Sequence, residues 1–336
     1  MDIFIDESGT FTPRPDGSSI AAVGALVVTE SQVPIFERRY GQVRPLLPKV
    51  GGEVKGRLLD EADVARVVDI ARRSGLIYEV TVIDLLPDHA AAVEAHRAEQ
   101  CEGLTRRLTE KHKPSLVAGV RALRARLERM PLQLYAQYVG TADLLWRTLQ
   151  HATLYYCQRE PHSLARFRWV IDAKAPDGPT DWEDWWSHVV RPMLQARSLR
   201  EPFGQLEGGD YSHLAAQEMP VPDYLVKEFP RLKGKTGLSL SEAFREIVFS
   251  ADSLPGLEVV DVLTNAVRRA LTGHLGERGW QGIGGVMIHR RGPTCIHPVG
   301  FGQDKRVIPS PAAEVLRHLG KGGRSMLTRS TRRHLE

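Results

Sequence analysis

The chain has 336 residues, 42% of them hydrophobic and 26% charged, which is enough apolar side chain for one large core or two smaller ones and too much for a disordered chain. No apolar run approaches the roughly 20 residues of a membrane helix, and the first residues lack the basic-then-apolar pattern of a secretory signal, so a soluble cytoplasmic protein with no membrane partner is expected. Three widely spaced cysteines (Cys101, Cys157 and Cys295) contain no CxxC pair, which fits reduced thiols and argues against a structural zinc site.

Ile3 and Ile5 alternate with Phe4 in MDIFIDESGT, the period of a strand that ends at Asp6 and Glu7. Ser19–Thr29 reads as a second strand, and the PDGSS before it predicts a hairpin. A helix is expected near Val33–Leu47, broken by Pro48 and Gly51-Gly52. GGEVKG then leads into a helix with Leu59, Val64, Val67, Val68 and Ala71 on one face and Gly75 as its stop. LIYEVTVIDL is a third strand. From 87 to 165 alanine, leucine, arginine and glutamate predict a long helical insertion, with Pro114 and Pro131 at its breaks. RFRWVIDAK is a fourth strand ending near Asp172. DWEDWWSHVVRPMLQ predicts a helix capped by Asp181 and Asp184, its three tryptophans packed in the core by default. FREIVFSAD is a fifth strand, and LPGLEVVDVLTNAVRRALTG a helix closing at Gly273. GVMIHRRGPTCIHPVGF reads as a C-terminal hairpin, KGKTG at 233–237 as a solvent loop, and 301–336 as a basic tail. The order predicts an α/β fold, a mixed sheet with helices on both faces, discontinuous over 1–86 and 166–300.

Three strands end in acid: at Asp6-Glu7, at Asp172 and at Asp252. Asp261 follows on a helix, inside VVDVL, where an unpaired carboxylate is costly and a cation or arginine is needed. Glu258 is three residues earlier, on the same face. A single strand-end acid is ordinarily a turn residue; four together suggest more. Acids gathered at one sheet edge repel unless a cation holds them, and hard oxygen donors suit Mg²⁺ or Mn²⁺, two of which can clamp a scissile phosphate. Arginines at Arg121, Arg124, Arg126 and Arg129, and basic residues from Lys321 to Arg333, offer positive surface for phosphates or simply solvated faces.

FIDESG at the start, EVKG at Glu53–Gly56, ID at Ile171-Asp172 and ADSLPGLEVVD at Ala251–Asp261 together resemble the domain-of-unknown-function family 3800 over residues 1 to about 272, apart from the insertion. The resemblance implies a ribonuclease H-like fold and a divalent-metal nuclease acting on DNA or RNA, with links to phage defence and mobile elements. It implies Asp6, Asp172 and Asp261 as metal-binding acids, with Glu7, Glu53 and Asp252 as possible fourth ligands and Lys55 facing the phosphate. Glu258 and Val260 depart from the family's glutamine and alanine. The usual second-helix glutamate is not located either: Glu53 precedes the third strand and Glu94 follows it.

Two other readings stay open. Glu53-Val54-Lys55 is an E-x-K triplet, the short half of a restriction-endonuclease-like site, although a glycine-rich loop precedes it where an aspartate is required. Alternatively the protein is catalytically inactive and binds nucleic acid, or a protein partner through the 87–165 helices. The histidines lack HxxxH or HExxH spacing, which excludes zinc hydrolase motifs.

Overall fold

Side-chain alternation organises the first strand, with Ile3 and Ile5 entering one core while Phe4 enters another. The computed structural model describes residues 1–12, 19–85, 89–106, 108–109, 112–173, 182, 185–201, 203–221, 223–228, 230–289, 295–301, 310–329 and 331. Its strands are Asp2–Ser8 (β1), Ser19–Val28 (β2), Lys49–Val50 (β3), Glu53–Val54 (β4), Ile77–Leu85 (β5), Arg168–Asp172 (β6), Glu218–Pro220 (β7), Thr236–Leu238 (β8), Glu246–Ser250 (β9), Ile288–His289 (β10), His297–Val299 (β11) and Arg324–Ser325 (β12). The longer helices are Val33–Val43 (α1), Glu61–Arg73 (α2), His89–Thr105 (α3), Pro114–Arg129 (α4), Leu132–Tyr156 (α5), Arg191–Arg200 (α6), Pro255–Leu271 (α7) and Ser310–Gly322 (α8).

The expected hairpin forms, with β1 and β2 antiparallel along the whole of β1. β5 adds antiparallel to β2, while β6 lies parallel to β1, β9 parallel to β6 and β11 parallel to β5. The result is a six-stranded mixed sheet in the order β11-β5-β2-β1-β6-β9. Helices cover both faces. α7 crosses β1 and β2 on one side with α2 and α8 against it, and α5 covers β2 and β5 on the other. Phe4, Leu26, Tyr78 and Val262 belong to the core under α7, and Ile3, Ile5, Leu145 and Trp169 to the core under α5. α7 comes so close to β2 that a Cβ on Gly24 would stand 2.1 Å from the Thr264 hydroxyl oxygen and 2.8 Å from that of Tyr78.

Within 87–165 the described residues form helices α3, α4 and α5, and α5 packs against the sheet. Two expectations need correction. Residues 310–325, read as part of a basic tail, fold into α8 and β12. Ala312, Val315, Leu316 and Leu319 of α8 are buried in the α7 core. Arg324 is spent on main-chain carbonyls, donating to those of Arg72, Gly75 and Gly285. The C-terminal segment is no hairpin either, because β10 pairs with β12 and β11 with β5. Gly51-Gly52, expected as the break after the first helix, is the turn of the small antiparallel β3–β4 ribbon. Trp182, Trp185 and Trp186 are all buried, so none of these rings is open to a base. Asp181 and Asp184, the expected helix caps, lie outside the described residues. Among the described residues no helix is long and apolar enough to cross a membrane.

Candidate functional site

β1 and β6 run side by side with Ile5 opposite Ile171, so the next residues, Asp6 and Asp172, stand at the same level of the sheet. Each follows a residue that enters the α5 core, so the pleat turns both carboxylates to the α7 side. β9 continues the edge, with Ser250 opposite Asp172, and Asp252 follows two residues later. The chain then turns into α7, whose first residue is Pro255, the position where proline costs no hydrogen bond. Asp261 therefore hangs from the second turn of α7 over the strand ends. The β3–β4 ribbon closes the other side. A cleft results, lined by Asp6, Glu53, Lys55, Asp172, Asp252 and Asp261, with Val54, Ser253, Leu257 and Glu258.

The acids differ in their surroundings. Asp6 is buried, at 8% exposure, and accepts the Glu7 backbone N–H at 2.8 Å. Asp261 accepts the Gly56 N–H at 2.8 Å. Burial holds Asp261 above the usual carboxylate range, against the Gly56 N–H and the Lys55 charge that pull it down. Asp172 is raised for the same first reason, with Lys55 again opposing. Lys55 sits among them, its Nζ 2.6 Å from a Glu53 carboxylate oxygen. Partial burial disfavours its charge, but the Glu53 hydrogen bond and the Asp172 charge outweigh this and keep the ammonium above its ordinary pKa.

Glu258 has a different role from its neighbours. Burial is outweighed by the Arg44 guanidinium, the Val54 N–H and the hydroxyls of Ser253 and Tyr40, which hold its carboxyl below the usual range. Glu258 is therefore held in an ion pair, with Arg44 Nε at 2.7 Å.

Glu7 needs correction. It follows Asp6 by one residue, so it projects from the opposite face of β1, paired with Val23 of the α5 core. It does not line the cleft. Glu94, the other fourth-ligand possibility, is on α3 and pairs with Arg97 at 3.0 Å. Asp252 does line the cleft but is exposed at its mouth. Sequence reasoning missed Arg44, Tyr40 and Ser253, and Arg44 is 214 residues from the carboxylate it holds. It also missed the buried Ser8 beside the cleft strand, whose hydroxyl accepts from Asn265 and Arg268.

Among the described residues no three histidine, cysteine, aspartate or glutamate side chains form a ready-made metal cage. The donor set nevertheless fits a hard divalent cation in its chemistry. Carboxylate oxygens are what Mg²⁺ and Mn²⁺ take, and the charge of Asp261 disfavours ionisation of Asp172, so positive charge is favoured between them. Asp6, Asp172 and Asp261 would hold such an ion, with Glu53 within the same cleft. No family model, curated protein or solved structure matches the chain.

Proposed function

We propose that the cleft hydrolyses phosphodiester bonds of nucleic acid with the help of Mg²⁺ or Mn²⁺, on a ribonuclease H-like sheet. The observation that carries this reading is the convergence of Asp6, Asp172 and Asp261, drawn from three distant stretches of chain, around one lysine. A bound divalent cation supplies Lewis acidity toward a phosphoryl oxygen and lowers the pKa of water. The protein does the rest. Lys55 offers N–H donors and a fixed positive charge to a non-bridging phosphate oxygen, where charge builds in the transition state. Asp6, Asp172 and Asp261 orient the reacting groups through their oxygens. A water oxygen attacks phosphorus as the bond to the leaving oxygen breaks. The proton of that water passes to a cleft carboxylate, and the leaving oxygen takes a proton from solvent.

The test is a cleavage assay with Mn²⁺ and Mg²⁺ on single- and double-stranded DNA and RNA, wild type against Asp6→Ala and Asp261→Asn. Each substitution should cost at least about 10²-fold in rate, the order lost when one electrostatic stabiliser of a transition state is removed. A wild type inert on all four substrates, or an Asp6→Ala variant as active as wild type, would end the reading.

One observation favours a second reading. Glu53 lies on a strand, β4, with the Lys55 ammonium bonded to it, as an E-x-K site requires. In that case Asp172→Ala and Asp261→Ala would retain cleavage while Lys55→Ala would not.

A further inference from the structure

The Glu258 carboxylate accepts five hydrogen bonds. One oxygen takes Arg44 Nη2 at 2.8 Å, the Val54 N–H at 2.9 Å and the Ser253 hydroxyl at 2.7 Å. The other takes the Tyr40 hydroxyl at 2.8 Å and Arg44 Nε at 2.7 Å. A carboxylate offers about four lone-pair sites, so none remains for a cation or substrate. What Glu258 holds is therefore the question, and the answer is a backbone.

Extended chain alternates with period two, and the helix beside it repeats at three to four. The Val54 N–H meets Glu258 and the Gly56 N–H meets Asp261, one turn further along α7. The N–H groups of residues 54 and 56 thus face the helix, while the side chains of Glu53 and Lys55 line the cleft. The fit is close: a Cβ on Gly56 would stand 2.8 Å from the Val262 Cα and 2.9 Å from the Asn265 Cβ. Arg44 adds a second hold by donating to the Gly52 carbonyl at 2.7 Å, at the turn of the ribbon.

We propose that Glu258, clamped by Arg44, is a positioning residue that fixes the strand carrying Glu53 and Lys55 and so sets Lys55 in the cleft. Its consequence for catalysis rests on the nuclease reading above; the clamp itself does not. Glu258 acts through the main chain of residues 52–56 and touches no substrate.

Two measurements on the full chain test this, with Glu258→Ala, Arg44→Ala, Lys55→Ala and the Glu258→Ala/Lys55→Ala pair. Arg44 is partly exposed, so its truncation provides a variant that folds if loss of Glu258 does not. Amide hydrogen exchange at residues 52–56 should quicken at least about tenfold in the Glu258 or Arg44 variant, with β5 amides at the wild-type rate, as local release of one segment requires. Mn²⁺-dependent cleavage should lose about tenfold or more in kcat with KM within about twofold, and the double variant should fall no lower than Lys55→Ala, the mark of two residues acting as one unit. Unchanged exchange at 52–56, exchange quickened throughout the chain, or additive losses in the double variant would each overturn the proposal. Should wild type cleave nothing, the nuclease reading fails, and the exchange rates alone decide whether the clamp exists.

Discussion

Asp261 lies between two buried valines, Val260 and Val262, and its carboxyl accepts the Gly56 backbone N–H there. Its neighbour Glu258 is just as enclosed and yet stays well ionised, because a guanidinium reaches it. Two acids one turn apart therefore do opposite jobs, one left reactive and the other satisfied. The same contrast separates Asp6 from Glu7 across the pleat. Glu7→Gln should keep cleavage within about threefold of wild type, because no contact to the reacting groups is removed, whereas Asp6→Asn should not. A Glu7→Gln loss as deep as that of Asp6→Asn, measured in the same assay, would put Glu7 back in the site. Much of this was legible in the residues. Strand-end acids and the acid buried in VVDVL mark the cleft without coordinates. Period two was enough to separate Asp6 from Glu7, although adjacency made them look like a pair. The Arg44–Glu258 clamp was not legible, since nothing local to either residue names a partner so far along the chain.

At the scale of elements, α7 presses on β2 where Gly24 leaves room for the Tyr78 and Thr264 hydroxyls, which bond each other at 3.1 Å. Gly24→Ala puts a methyl carbon inside both, so α7 must lift or the hydroxyl pair must part. Overpacking of a core of this kind costs about 1–3 kcal/mol. Urea unfolding should report a loss of that order, and because α7 carries Asp261, cleavage should fall with it. An unchanged midpoint would mean the helix has slack the geometry denies. Strands with clear alternation were readable from sequence, whereas the cap of α2, where Asp60 accepts the Asp63 N–H, was not singled out. The pairings of β10 and β11 were not readable. Their partners, β12 and β5, come from elsewhere in the chain, so an apolar–turn–apolar pattern looked like a hairpin. The apolar face of α8 was hidden in the same way, by the charges around it.

For the molecule as a whole, the cleft sets a pH dependence. Asp172 and Asp261 hold their protons more tightly in the fold than in the unfolded chain, because burial disfavours their charge. Their contribution to stability is complete below the ordinary carboxylate pKa and is lost as pH rises through the raised values. Glu258 works in the other sense, contributing above its unfolded pKa and losing that contribution as pH falls through its depressed value. In the presence of a chelator, Asp172→Asn should therefore melt higher than wild type at pH 8, with the difference shrinking toward pH 4. Thermal unfolding across that range tests it, and a difference independent of pH would refute the assignment. Added Mn²⁺ should raise the wild-type midpoint most at the alkaline end, where the acids are free of protons.

The long separation between Asp6 and Asp261 also bears on biosynthesis. A nascent polypeptide leaving the ribosome displays the strand of Asp6 long before the helix of Asp261 that completes the acidic pocket. A truncated translation product ending before that helix lacks part of the pocket, so an interrupted round of synthesis releases a fragment with an incomplete centre.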